Sequence, residues 1–399
     1  MLDRSHSDVS CVPDGSRTKF QETSQMNLKG IRGAVGDVAW IQRQRGVGPA
    51  TVWREYRRFK SLTRMTPAEC LRYWLWDESI PMGHRLALMS RQERLLAEPR
   101  LNPPEQLPRH RNKAWVASLF EAAGVRTGPL IGYVGRENND RYTPEGIRWI
   151  EFDEVGDFLG DAPDTGVVFK PIYGSGGDSV MVFRKACATH LEDLLGNEWS
   201  IERLIAVISS GSRQWRVEHR VPQHSRLAAV SGETLGTLRM IAARLDDGSV
   251  HLGPTSWKIP TIDDGLDHFM HGELNLAAPV DPATGRVGPA RRWKSVVPAD
   301  THPVSKARIT DVVMPWWDEA QDLVRRATGC LDGVRGPAFD IGIGEDGAFI
   351  VEMNLRWGEP LTQTPGIRGL VTGPFLKLLH ERGCDDVMNL AIRDENPVC

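Results

Sequence analysis

Two groups of residues in this 399-residue chain have the types and spacing to handle phosphate and a hard metal ion. In the first, the apolar run Val167-Val168-Phe169 ends in Lys170-Pro171 and is followed by Gly174-Ser175-Gly176-Gly177 and a second strand from Val180 to Arg184. Strand, glycine turn and strand make a flap. Glycine removes the Cβ that would keep backbone N–H groups off phosphate oxygens, and Lys170 adds a point charge nearby. No lysine follows the glycines as in a Walker loop, so this is not a P-loop. Alone, the segment suits a flexible hairpin with a surface lysine equally well. In the second group, Asp340 lies in AFDIGIG and Glu352 and Asn354 in IVEMN. Two apart on a strand, Glu352 and Asn354 point to one face, and a hairpin partner sets Asp340 beside them. Hard oxygen donors without His or Cys suit Mg²⁺, which takes one or two carboxylates plus the phosphates of its substrate. The competing reading is a polar outer hairpin face, against which stand the apolar neighbours Phe349, Ile350, Val351 and Met353.

Other chemistries find less support. Gly342 to Gly347 fits G-x-G-x-x-G, but a strand follows instead of a helix, so the glycines read as a hairpin turn. His268 and His271, and His219 and His224, have no H-E-x-x-H or cysteine companions, which argues against zinc. No G-x-S-x-G elbow or locally marked cysteine points to a covalent nucleophile. Lys plus Arg is 49 and Asp plus Glu is 52, a net charge of −3, too small to imply a polyanionic partner. Eight basic residues between 43 and 72 face only Glu55 and Glu69, and read as a solvated helix face before a nucleic-acid or partner surface. Arg286, Arg291, Arg292 and Lys294 read either as a basic surface loop or as carboxylate contacts. The six cysteines lie far apart, which fits a reducing cytoplasm, and no apolar stretch approaches the ~20 residues needed to cross a bilayer.

The elements that must position these residues read as mixed α+β. Residues 1–30 form a polar leader expected to be mobile, and 31–100 a helical section with apolar residues near helical spacing. The Pro-rich stretch 101–108 precedes a helix from Asn112 to Ala123 that stops at Gly124. A central small domain is expected over 101–212, with strands at LIGYV, GVVFKPI and SVMVFR and a helix near His190 to Leu195. A C-terminal domain over 213–399 would hold strands in QWRVEHRV, TLGTLRMIAARL and SVHLGPTSWKI, a helix at Met314 to Thr328, and the AFDIGIG/GAFIVEMN hairpin.

With VFKP, the GSGG flap, TLGTLRMI and D…E-x-N in that order, the chain resembles the ATP-grasp superfamily. The runs WRVEHRVPQH, GETLGTLRMIAARL and FDIGIGEDGAFIVEMNLRWG look like its sugar-transfer-associated group, found among enzymes of polysaccharide and small-molecule biosynthesis; the likeness spans roughly residues 100 to 375. That group often has an Asp-Asn pair and paired glycines where this chain has Asp267-His268 and Gly272-Glu273. The resemblance implies two α+β subdomains clasping ATP. Lys170 and Lys113 would contact phosphates under the flap of Gly174, Ser175, Gly176 and Gly177. Glu218, Arg220 and Val221 would belong to the hinge for adenine, with His224 near the ribose. Arg239 and Lys258 would face the γ-phosphate or an acyl phosphate, and Asp340, Glu352 and Asn354 would hold Mg²⁺. The implied activity is an ADP-forming carboxylate-amine ligase acting on a small-molecule acid and amine, with an acid of unspecified class meeting Arg239. A small-molecule kinase of the same fold, or a non-catalytic protein binding nucleic acid or a partner through the basic helices, are the alternatives.

Overall fold

The computed structural model describes residues 36–136, 142–160, 165–174, 179–210, 214–269, 275–364, 366 and 368–398, so the leader lies outside the described residues. Two sheets carry the strands. The first contains Leu130–Val134 (β1), Trp149–Ile150 (β2), Val167–Pro171 (β3), Met181–Ala186 (β4), His190–Asp193 (β5), Glu198–Ser200 (β6) and Trp215–His219 (β7). Their order is β2-β1-β7-β3-β4-β5-β6, antiparallel except for β1 with β2. Period-2 alternation decides what each face does. Val167, Phe169, Trp215 and Val217 turn into a core roofed by the helices Val155–Gly160 and Ile201–Ile208, leaving Lys170, Arg216 and Glu218 on the other face. β7 is central to this sheet although it follows the 212/213 division read from the sequence.

The second sheet contains Leu238–Arg244 (β8), Val250–Leu252 (β9), Thr255–Ile259 (β10), Leu276–Val280 (β11), Ala290–Arg292 (β12), Pro298–Ala299 (β13), Ala338–Gly344 (β14) and Gly347–Asn354 (β15). The order is β13-β12-β11-β10-β8-β14-β15, with β9 paired to β8. Leu238, Met240 and Ala242 face the core beneath the helix Trp317–Gly329, whose buried Trp317, Ala320, Leu323, Val324 and Ala327 recur every three or four positions. From the opposite face of β8, Ile241 and Ala243 enter a second core under the helix Gly373–Glu381.

Two sequence expectations are corrected. Residues 190–193 form strand β5 instead of a helix: Leu191 is fully buried against the first core, and Asp193 turns the chain at once by accepting from the backbone N–H of Leu195 and Asn197. The Leu-Glu-Asp-Leu-Leu run favours helix locally, but the hairpin contacts outweigh propensity. Arg291 is not on a basic surface loop: it sits on β12 and is 3% exposed.

The N-terminal section is helical over 36–45, Pro49–Thr63, Pro67–Arg72, Met82–Leu86 and Arg91–Leu101. Thr66 with Glu69 and Ser90 with Glu93 form capping boxes that stop the chain fraying at two of these starts. Beyond the Pro-rich stretch, Asn112 caps the helix Lys113–Ala122 by accepting from Trp115 N–H at 3.0 Å. Two side chains fasten the section to the body. Gln363 accepts from Met89 N–H at 2.8 Å and donates to Met89 C=O at 2.9 Å. Arg393 donates to Leu86 C=O at 2.8 Å and meets Glu93 at 2.9 Å, both side chains being buried. No helix among the described residues is long and apolar enough to cross a membrane, and Cys70, Cys187, Cys330 and Cys384 are free thiols. Arg393→Leu strands the Glu93 carboxylate in the interior and is expected to cost about 3–5 kcal/mol, read as a fall in the urea unfolding midpoint.

Candidate active site

A cleft of about 310 Å³ is lined by residues of both sheets. On the first sheet, Lys170 and Arg216 are cross-strand partners and Glu218 lies two residues beyond Arg216, so the three side chains converge. Glu218 takes the Lys170 ammonium on one oxygen at 2.6 Å and the Arg216 guanidinium on the other at 2.6 Å. Arg216 also donates to Tyr133 Oη at 3.2 Å and Gly128 C=O at 2.9 Å. A Cβ at Gly128 would fall 2.2 Å from a Glu218 oxygen, so a side chain there would evict the carboxylate. Burial alone would raise the Glu218 pKa, but Lys170 and Arg216 hold it below its ordinary 4.5.

On the second sheet, Arg239 and Asp340 are cross-strand partners joined by two bonds of 2.7 and 2.9 Å. Lys258 reaches Asp267 at 2.9 Å and Asp340 at 3.3 Å. Asp267, missed as a positioning residue in the sequence, also accepts from Thr237 N–H at 2.9 Å and its hydroxyl at 2.5 Å. Burial pushes the Asp340 pKa upward, and Arg239 and Lys258 overcome that to hold it well below the usual carboxylate range. Asp340 opposes Glu352 and Ala338 opposes Asn354, while Ile341 opposes Ile350, so Val351 is the extra residue of a β-bulge. In an unbroken strand Val351 and Glu352 would point to opposite faces; here Phe349, Val351, Glu352 and Asn354 all line the cleft.

Lys113, at the start of its helix, ties the two sheets together. Its ammonium donates to Gly174 C=O at 3.1 Å and lies 3.3 Å from Glu352. Ser175, Gly176 and Gly177 lie outside the described residues, as do His271, Gly272 and Glu273. At the end of β7, His219 N–H donates to Pro129 C=O and Arg220 N–H to Gly166 C=O, with Val221 next to them on the cleft wall. The Arg220 side chain turns to Glu233 at 3.2 Å. His224 does not line the cleft: it caps the helix Ser225–Ser231 by accepting from Arg226 N–H and faces Glu345 at 3.6 Å. Sequence reading also passed over Arg216, Tyr133 and Arg356. The alternation in WRVEH places Arg216 with Glu218, and Arg356 follows Asn354 by two residues and lines the cleft.

The donors suit a small hard cation. Asp340 and Glu352 supply carboxylates, Asn354 an amide whose nitrogen stands 3.5 Å from Asp340, and Glu352 keeps partial solvent access. Two carboxylates and an amide would leave most of a Mg²⁺ shell to phosphate and water, and among the described residues no cluster of three His, Cys, Asp or Glu ligands occurs.

The profile of the sugar-transfer-associated ATP-grasp family matches residues 91–374. The chain belongs to that family. No curated protein matches this ATP-grasp chain. Its fold is similar to solved structures that include L-amino acid ligase from Bacillus licheniformis, with 12% identity, TM-score 0.40, and coverage of 70% of this chain and 51% of that one. Phosphoribosylamine–glycine ligase from Thermotoga maritima shows 14% identity, TM-score 0.38, and coverage of 71% and 57%. The biotin carboxylase domain of a Hydrogenobacter thermophilus 2-oxoglutarate carboxylase, solved with MgADP, shows 13% identity, TM-score 0.37, and coverage of 68% and 45%. This ATP-grasp chain thus spans about half the length of these structures.

Glu218→Gln leaves Lys170 and Arg216 buried without a counter-charge, at an expected cost of about 3–5 kcal/mol near neutral pH. Because the folded pKa of Glu218 lies below 4.5, its contribution is complete above that pH and fades as pH falls through the folded value. The gap in unfolding midpoint between wild type and variant should therefore narrow on acidification below 4.5, as measured by urea titrations across pH 3–7.

Proposed function

We propose that this chain is an ATP-dependent carboxylate-amine ligase that works through an acyl phosphate. The observation that carries the reading is the facing of two charge sets across one cleft: Lys113 and Lys170 toward the flap side, and Arg239, Lys258, Asp340, Glu352 and Asn354 opposite. Carboxylates are poor electrophiles. Transfer of the γ-phosphoryl group of ATP to the acid creates a leaving group, and attack of an amine on the acyl carbon then expels phosphate and leaves an amide and ADP. Such a reaction asks for positioning and charge stabilisation more than for a protein nucleophile.

In this reading the backbone from Glu218 to Val221 receives adenine. Lys170, Lys113 and the flap from Gly174 to Gly177 hold the phosphates. Arg239 and Lys258 orient the acid and the transferring phosphoryl group. Asp340, Glu352 and Asn354 would hold Mg²⁺, which when bound neutralises phosphate charge. Arriving phosphate takes over cations that now pair with Glu218 and Glu352. The two sheets with their helices are the two jaws, β7 at 215–219 belonging to the first, and a biosynthetic role in the cytoplasm on small acids and amines fits the free thiols.

ADP release screened against amino-acid and sugar-acid panels, with hydroxylamine as trap, tests the reaction. A hydroxamate of the acid is the expected product; a stable phosphorylated hydroxyl compound would move the assignment to a kinase. Glu352→Gln and Asn354→Ala should each lower ADP release by about 10–100-fold or more with the melting temperature little changed, since these side chains sit at the cleft surface. Unaltered Mg²⁺-dependent turnover in both would remove them from the metal site.

A further inference from the structure

Away from the cleft, three arginines stack on two indoles where the N-terminal helices pack on β12. The Arg291 guanidinium lies 4.2 Å from the centre of the Trp74 ring, and that of Arg45 lies 4.9 Å from the same ring. The Arg72 guanidinium stacks 4.2 Å from the Trp293 ring, and the Arg72 carbonyl accepts from Arg291 at 3.1 Å. In the cleft, Lys170, Arg216, Arg239 and Lys258 each have a carboxylate partner. Here, among the described residues, no carboxylate pairs with Arg45, Arg72 or Arg291, although Arg291 is 97% buried by its 3% exposure. Burial, then the Arg45 charge, push the Arg291 pKa down to about 9, which leaves it charged at neutral pH. Two more donors in these residues, Arg72 Nε and Trp74 Nε1, are buried with no hydrogen-bond partner. Trp74 is held at φ 53°, in the left-handed region that a bulky residue rarely adopts.

Unpaired buried charge and orphaned buried donors are both costly, and the cost is removed by one oxyanion. Stacking on indole uses the faces of the guanidinium groups and leaves their N–H edges for in-plane bonds to phosphate or carboxylate. We infer that Arg45 and Arg291, with Trp74 Nε1 between them, form a second anion site that takes the phosphate or carboxylate group of a small-molecule ligand. Its entrance is at Arg45, which is exposed. Arg291 pairs across the sheet with Ala277, and Ala277 with Lys258, so the site shares the cleft's side of the sheet two strands away, about 10 Å at ordinary strand spacing. It stands independently of the reaction assigned to the cleft.

The test is thermal unfolding of the full chain in sodium phosphate, sodium malonate and sodium chloride at matched ionic strength and pH 7.5, with titration calorimetry for affinity. A saturable rise in Tm over chloride is expected with phosphate, malonate or both; phosphate alone assigns a phosphoryl group and malonate alone a carboxylate. Arg45→Gln, at an exposed position, should fold normally and weaken the calorimetric affinity at least tenfold. Arg291→Gln, which keeps a donor for the Arg72 carbonyl, should do the same. Lys170→Met, which alters only the cleft, should keep the rise relative to its own baseline. The site is overturned by the absence of any rise over chloride, by a rise that survives in both arginine variants, or by its loss in Lys170→Met, which would place the anion in the cleft.

Discussion

Charge buried between two sheets has to be neutralised before any ligand arrives, and the cleft is built around that requirement. Lys170 and Arg216 share Glu218, and Arg239 and Lys258 share Asp340. Each set joins neighbouring strands, so the electrostatic pairing and the backbone register support one another. A one-residue slip of β8 on β14 would turn Arg239 away from Asp340 and leave both buried without compensation. The same pairs keep the carboxylates ionised in a setting whose burial favours protonation.

Strands are a suitable base for such a site because their side chains are held by the ladder and by the cores behind them. Phe169 and Val217 anchor the first set from below, and Met240 and Phe339 the second. The bulge at Val351 adds the one irregularity that turns Glu352 and Asn354 toward the cleft without breaking the hairpin. Lys113 then spans from Gly174 at the base of the flap to Glu352, so a single ammonium reads the separation of the two sheets. Charge preorganised in this way needs little rearrangement when a ligand exchanges one partner for another.

The helical section follows the same rule where it is fastened. It is fastened by buried hydrogen bonds from Gln363 and Arg393, and there Arg393 does find a carboxylate in Glu93. Where the section meets β12, arginines stack on Trp74 and Trp293 with no such partner. Among the described residues, buried guanidinium groups are thus neutralised in the cleft, at Arg393 and at Arg85, which meets Glu55 at 2.9 Å, and left without a carboxylate at Arg291.

Much of this was legible locally. Alternation in VVFKP and WRVEH determines which residues leave the core, the turn Gly344-Glu345-Asp346-Gly347 determines the hairpin, and the order of lysine, arginine and D…E-x-N motifs determines the family. What the tertiary structure alone decided is who pairs with whom. Glu218 is the counter-ion of Lys170, 48 positions away, and Arg239 and Asp340 meet across 101 positions. The bulge, the strand at His190–Asp193 and the burial of Arg291 were hidden for the same reason. Periodicity records which way a side chain points relative to its own backbone, whereas counter-charge and burial depend on segments brought alongside by folding, and a single sequence carries no local mark of those neighbours.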